Sequence, residues 1–295
     1  MLDLGKYSPA AQILALKMTG QVGPRTFDTL MAEFGHLVEI FMGEEDSFAH
    51  LPGIGPGRSK AIASAHTYLD KAQEVIDSLE ASDTGVVTRL DAEFPDSLQE
   101  LNDPPMMLFY KGHLPPAHEK RVAVIGSQNV SVDGIGDAVE LSRRLAQSGV
   151  AVVGGLARGI DTAGHVGALK GKGVTYAVLP SGFNRIHPAE NEPLAAEIAR
   201  NGALLSEYLP DTAVIGGRLM ARNRLIVGLA QAVVVGEVSE ESTGTLDAAL
   251  CCHQLGKLLF VIIGDATHHY DVLAGHGAIP LASAGDYKMI VDALV

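Results

Sequence analysis

The spacing of apolar positions changes character near residue 80. Through residues 1–80, Ile13, Leu14, Leu16, Leu30, Phe34, Leu37 and Ile40 recur at intervals that cover one face of a helix, and no segment there reads as a strand. From Val86 onward, short β-branched runs alternate with helically spaced segments to the end of the chain. The runs Val122–Ile125, Val150–Val153, Val174–Leu179, Ala203–Leu205, Ala232–Val235 and Leu258–Ile263 are expected as buried strands. Helices are expected around Ala138–Gln147, Thr162–Lys170, Pro193–Arg200, Arg222–Leu229 and Thr245–Leu255. Such alternation implies right-handed crossovers and a doubly wound, mainly parallel sheet with helices on both faces. The expected class is therefore α/β, with a small all-α domain over 1–80 and a sheet domain over 81–295. Leu90–Gly112, marked by Pro95, Pro104 and Pro105, reads as an arm joining the two.

The 295 residues, 47% of them hydrophobic, are enough for a sizeable core. No apolar run approaches the roughly 18 residues of a membrane span, and no basic, apolar leader is visible, so a cytoplasmic protein without a membrane partner is expected. Cys251 and Cys252 are adjacent, which suits neither a metal-ligand spacing nor a disulfide framework; they read as small core residues in a reducing compartment. The net charge of −13 opposes non-specific attraction to a polyanion. Any DNA site must then be a confined patch.

The strongest candidate for such a patch is the block GGLARGIDTAGH, Gly154–His165. It follows an expected strand and opens an expected helix. Glycines at that junction allow a sharp turn and close backbone approach, the helix start offers unpaired amides, and Arg158 adds a positive fork. Within the block, Asp161 is expected to cap the helix and pair with His165; an acid–base or metal-ligand role for the two lacks a third ligand. His268 and His269 read as solvated loop residues. Gly126 and its neighbours do not complete a dinucleotide fingerprint, so no cofactor and no metal are expected.

The helical domain carries a weak internal repeat. A turn with Gly20, Gly23 and Pro24 lies within Met18–Phe34, and LPGIGPGRSKAI at Leu51–Ile62 takes the same role. The second copy resembles the hairpin of a helix-hairpin-helix motif, within a helix-hairpin-helix or SAM-like domain. That likeness implies phosphate contacts from Gly53, Gly55, Gly57 and Arg58, with Lys60 following.

Seven motifs then stand in order: FPDSLQELNDPPMMLFYKG (Phe94–Gly112), VAVIGSQN (Val122–Asn129), GLARGIDTAGH (Gly155–His165), AVLPSGFNRIHPAEN (Ala177–Asn191), GALLSEY (Gly202–Tyr208), ARNRLIVGLA (Ala221–Ala230) and TGTLDAAL (Thr243–Leu250). Together they resemble the DprA (Smf) family of bacterial DNA-processing proteins, and the helical module resembles the N-terminal extension of many members. The resemblance implies an extended Rossmann-type domain that forms a homodimer and binds single-stranded DNA without strong sequence preference. It further implies protection of incoming strands and help in loading a RecA-type recombinase during natural transformation.

On that reading, one rim of the sheet gathers Gly126, Ser127 and Gln128 after the first strand and Gly155, Arg158 and Gly159 after the second. Ser181 and Gly182 follow the third strand, and Thr243, Gly244 and Thr245 lie near the last. Arg158, Arg222 and Arg224 would neutralise phosphates in one basic patch, with amide contacts from Asn191 and Asn223. Three positions depart from the family pattern. Gln128 stands for an arginine, Leu219 and Met220 for a Phe-Pro pair that could stack a base, and Thr243-Gly244-Thr245 for a Ser-Gly-Ser turn. No winged-helix domain is expected after residue 295.

Two other classes compete. Nucleotide phosphoribohydrolases share the fold variant and a PGGxGTxxE turn; here Gly244 and Thr245 match, but the glutamate position is Ala248 and Asp247 is one residue early. That rotates the carboxylate by roughly 100° on a helix, so no enzyme is expected. The other class is an interaction scaffold that keeps dimer and recombinase contacts with weakened DNA affinity.

Overall fold

The computed structural model describes residues 3–264 and 268–294. The chain divides into two compact units: one comprises the segment up to Phe94 together with Asn102–Phe109, the other Pro95–Leu101 and everything from Tyr110 onward.

The first unit holds α1 (Pro9–Met18), α2 (Pro24–Phe34), α3 (Leu37–Met42), α4 (Glu45–Ala49), α5 (Pro56–Ala63), α6 (Leu69–Ala81) and a short strand, β1 (Gly85–Thr88). α1, α2 and α5 each begin on a proline, whose missing amide would have no partner in the first turn. The Ser8 hydroxyl caps α1 by accepting from the Ala11 amide at 3.2 Å. α1 is buried at every position from Ala11 to Leu16, which makes it the centre of the unit rather than the one-sided helix its spacing suggests. Phe34 meets Phe48 edge to face, with ring centres 5.4 Å apart.

The second unit contains α7 (Asp96–Gln99), β3 (Arg121–Ile125), α8 (Val132–Gln147), β4 (Ala151–Gly154), α9 (Ile160–Lys170), β5 (Thr175–Val178), α10 (Glu192–Asn201) and β6 (Ala203–Ser206). After them come α11 (Gly216–Ala221), α12 (Asn223–Leu229), β7 (Ala232–Val235), α13 (Thr243–Gln254), β8 (Leu258–Ile262), α14 (Tyr270–Gly275), β9 (Ile279–Leu281) and α15 (Tyr287–Ala293). A further strand, β2 (Met107–Gly112), spans the boundary between the units. The proline-rich stretch is thus not a plain arm. Its Leu98 and Leu101 are buried against Gly228 of α12, which draws Pro95–Leu101 into the second unit.

Seven parallel strands run in the order β6-β5-β4-β3-β7-β8-β9. From β3 the chain steps outward through β4, β5 and β6, then returns to lay β7 on the other side of β3. The order therefore reverses between β3 and β7, where a doubly wound sheet leaves a crevice at its carboxyl edge. Val122, Val124, Val152, Val234 and Phe260 pack with Leu141 of α8, Ala168 of α9 and Ile290 of α15. The alternate residues Ala123, Val153, Val233 and Leu259 are equally buried, and α12 and α13 lie against β3, β7 and β8. Burial on both faces explains why these strands read as continuous apolar runs.

Polar groups lock two helices in place. Lys257 donates its ammonium to the carbonyls of Val227, Gly228 and Ala230 at 2.7–2.8 Å, closing the carboxyl end of α12. His165, fully buried on α9, bonds through Nδ1 to the Thr175 hydroxyl at 2.7 Å. That hydroxyl gives its only proton to the Val152 carbonyl, so the imidazole carries its proton on Nδ1.

Burial, aided by the nearby Arg222 cation, holds the His165 imidazolium pKa down to about 3, against 6.5 for a free histidine. The unfolded chain therefore binds more protons between those values. The stability this residue contributes is fully present above pH 6.5 and is lost as the pH falls toward 3. Urea unfolding at pH 7 and pH 5 checks this: the His165→Asn variant, whose amide keeps a donor toward Thr175, should lose less stability between the two than the parent chain.

Candidate functional site

The crevice between β3 and β7 is a cavity of about 510 Å³. One wall is Gly126–Asn129, the loop that leaves β3. A second is the run from Ser239 to Thr245 that ends in the first turn of α13. α11 contributes Gly216, Leu219 and Met220, the start of α12 contributes Arg222, Asn223 and Ile226, and Asp161 of α9 also lines the cavity. A narrow cleft beside it is bordered by Gly155, Arg158, Pro180, His187 and Pro188, and shares Gln128, Ala157, Leu219 and Arg222 with the cavity.

The turn from Gly154 to Gly159 is held from several sides. The Gly155 amide donates to Asp161 at 2.8 Å, the Gly155 carbonyl accepts from Arg222 at 2.5 Å, and the Leu156 carbonyl accepts from Asn191 at 2.9 Å. Thr162 donates both its amide and its hydroxyl to the Ala157 carbonyl. Leu156 is fully buried with φ +60°, a left-handed conformation that a leucine keeps only when its surroundings dictate it. Both bracketing glycines are required. A Cβ on Gly155 would run into the Arg222 guanidinium; Gly159 has φ +73° and its Cβ would meet the Ser127 carbonyl.

Arg222 is the main correction to the sequence reading. It is only 6% exposed, and besides Gly155 it donates to the Val178 carbonyl at 2.8 Å and lies 4.0 Å from Asp161. Burial lowers its pKa and raises that of Asp161, against the mutual attraction of the pair and the Gly155, Ala157 and Gly126 amides around the carboxylate. It is an internal strut, not an open phosphate contact. Asp161 accordingly neither caps α9 nor pairs with His165: Gly159 occupies the cap position, and the carboxylate turns to Gly155 and Arg222.

The other two arginines are also engaged. Arg158 projects outward with 60% of its side chain exposed and bonds Glu190 at 2.5 Å. That hydrogen bond lowers the pKa of Glu190 and raises that of Arg158. Arg224 makes a two-pronged bond to Glu207 at 2.8 and 2.9 Å and borders neither the cavity nor the cleft. Of the single basic patch expected from sequence, Arg158 and Arg222 do border one cleft while Arg224 lies outside it, and each of the three faces a carboxylate.

The rest of the predicted set divides similarly. Gly126, Ser127, Gln128, Asn223, Thr243, Gly244 and Thr245 come together on the cavity. Ser181 and Gly182 do not: Ser181 is fully buried and donates to the Arg185 carbonyl, and Gly182 lies against the carbonyls of Leu209 and Pro210. Asn191 is an inward tie to Leu156 and Thr162. In the first unit, Gly53 has φ +74° and Gly55 precedes α5 as expected of a hairpin turn, but the Arg58 guanidinium folds back to the Gly53 carbonyl.

Sequence reasoning missed Ser239 and Ser242. Ser127 accepts from the Ser239 amide at 2.6 Å and bonds the Ser242 hydroxyl, which in turn bonds Ser239 at 2.9 Å. Engaged in this way, Ser242 leaves the first turn of α13 without a side-chain cap. The available signal was a short polar run after β7, the counterpart of Gly126–Gln128 after β3. Asn223 bridges to the Gly244 carbonyl at 3.1 Å and to Asp247 at 2.9 Å, so Asp247 is an anchoring residue here, while Ala248 forms apolar wall. Among the described residues, no helix is long and apolar enough to cross a membrane.

Comparison with known proteins places these features in a lineage. The family described as DNA recombination-mediator protein A is matched by residues 85–281. DNA processing protein DprA of Bacillus subtilis is 34% identical over 194 residues, 65% of this chain and 64% of that protein. The Streptococcus pneumoniae protein of the same name is 36% identical over 187 residues, 61% of this chain and 66% of that protein. The matches thus span just under two-thirds of each relative's length. The X-ray structure of DprA from Streptococcus pneumoniae superposes with a TM-score of 0.77 at 27% identity, covering 96% of this chain and 98% of that one. A Helicobacter pylori DprA structure, described for its single-stranded DNA binding mode, gives a TM-score of 0.63 at 25% identity over 72% of this chain and 97% of that one.

The two arginines nearest the Gly154–Gly159 turn should respond oppositely to truncation. Arg222→Ala leaves Asp161 buried without its cation and should lower unfolding free energy by on the order of 3–5 kcal/mol. Arg158→Ala removes an exposed pair and should leave the urea midpoint nearly unchanged. Equal midpoints for both variants would contradict the strut.

Proposed function

The chain belongs to the DNA recombination-mediator protein A family, and on that premise we propose that it is a DNA-processing protein that binds single-stranded DNA along the carboxyl edge of its sheet. It would act as a homodimer that protects incoming single strands and helps to load a RecA-type recombinase in natural transformation. The observation that carries this reading is the shared fold with the Helicobacter pylori relative, whose single-stranded DNA binding mode is described. The cavity between β3 and β7 supports it, because an open crevice at the strand-order reversal is where such sheets take ligands.

Charge sets the terms of that binding. The chain carries −13 overall, and Arg158, Arg222 and Arg224 each face a carboxylate. A phosphate at Arg158 must displace Glu190, so few counterions are released and the salt dependence should be shallow. This pairing also favours a second reading, a scaffold that keeps dimer and recombinase contacts but has little affinity for DNA.

Titrating oligonucleotides at two salt concentrations distinguishes the two. Tighter binding of single strands than of duplex, weakening modestly with salt, is the expected result; no binding of single strands at low salt would shift the function to the scaffold. Two substitutions sharpen the test. Glu190→Gln releases Arg158 and should tighten single-strand binding, and Gln128→Arg should tighten it while adding roughly 0.7 to the salt slope, the contribution of one extra phosphate contact. An unchanged slope for Gln128→Arg would mean that position 128 does not face phosphate.

A further inference from the structure

The cavity between β3 and β7 carries less positive charge than a phosphate site needs. Its ionisable lining consists of Asp161, Arg222 and Glu241. The first two face each other in the interior, and Glu241 is exposed and adds negative charge. Arg158 borders only the neighbouring cleft.

What the cavity presents instead is amide, hydroxyl and apolar surface. Gln128 and Asn129 bring exposed amide side chains, each with a donor and an acceptor side by side, the arrangement that pairs with the edge of a base. Leu219 and Met220 of α11 add apolar lining, and the Met220 sulfur lies beside Gly244 at the start of α13. A thioether packs well on an aromatic ring. The volume of about 510 Å³ suits a small organic ligand.

We propose that this cavity receives the uncharged nucleoside part of a nucleotide, with the base between Met220 and the Gln128 and Asn129 amides, while the phosphate stays outside toward Arg158. The inference rests on the nucleic-acid reading above and names what that site holds. Because Gln128, Ala157 and Leu219 border both cavity and cleft, a base in the first leaves its phosphate facing the second. The start of α13, which has no side-chain cap, serves a base carbonyl, and Glu241 opposes an anion in the same place.

Calorimetric titration of the full chain with thymidine, dTMP and inorganic phosphate tests this at about 50 and about 300 mM salt. Thymidine and dTMP should bind within about threefold of each other, with little salt dependence, phosphate should give no heat, and Met220→Glu should weaken thymidine by about tenfold or more. Tighter binding of dTMP by about tenfold with steep salt dependence would overturn the proposal. So would detectable binding of inorganic phosphate in the cavity, no heat from thymidine, or unchanged thymidine binding by Met220→Glu. An oligothymidylate titration in the same series separates this from the function: nucleoside binding without oligonucleotide binding upholds the pocket and sinks the single-strand reading, and the converse sinks the pocket alone.

Discussion

Arg222 sits almost wholly buried at the floor of the crevice, between the carbonyls of Gly155 and Val178 and the carboxylate of Asp161. Those groups belong to the ends of β4 and β5 and to the first turn of α9, while Arg222 itself joins α11 to α12. One guanidinium therefore ties together the elements that border the cavity. A buried charge of this kind contributes little net stability when paired and is costly when its partner is missing, so its main effect is to specify one arrangement of the loops. The left-handed Leu156 and the inward Asn191 are intelligible in that light: the turn is fixed from within, which leaves Arg158 on its outer side.

The same economy of cations runs through the whole edge. An acidic chain holds its arginines against Glu190, Glu207 and Asp161, and offers a ligand mainly hydroxyls, amides and an uncapped helix start. Such groups discriminate by geometry rather than by long-range attraction. The lineage supplies the sheet, and the lining of the cavity supplies the character of the site.

Much of the fold was legible in the sequence because each central strand is buried on both faces and reads as an unbroken apolar run. Val122–Ile125, Ala232–Val235 and their neighbours fall within a residue or two of the observed strands. β9 was not legible, since three residues with Pro280 at the centre make no pattern. α11 was not either, because it buries no side chain and so has no apolar stripe. At the site, the glycine turns and the residues after β3 were readable from spacing. The roles of the arginines were not, because Glu190 and Glu207 lie 32 and 17 residues from their partners and only the folded chain brings them together.

α11 differs from every other wall of the cavity in burying none of its residues. Substitutions there leave the core untouched and should cost the fold little stability. Leu219 and Met220, the apolar side of the cavity's lining, fall on this element. The lining that α11 supplies can therefore be re-cut by substitution while the sheet beneath stays constant, which makes this short helix the handle by which the cavity's ligand preference is altered independently of the fold.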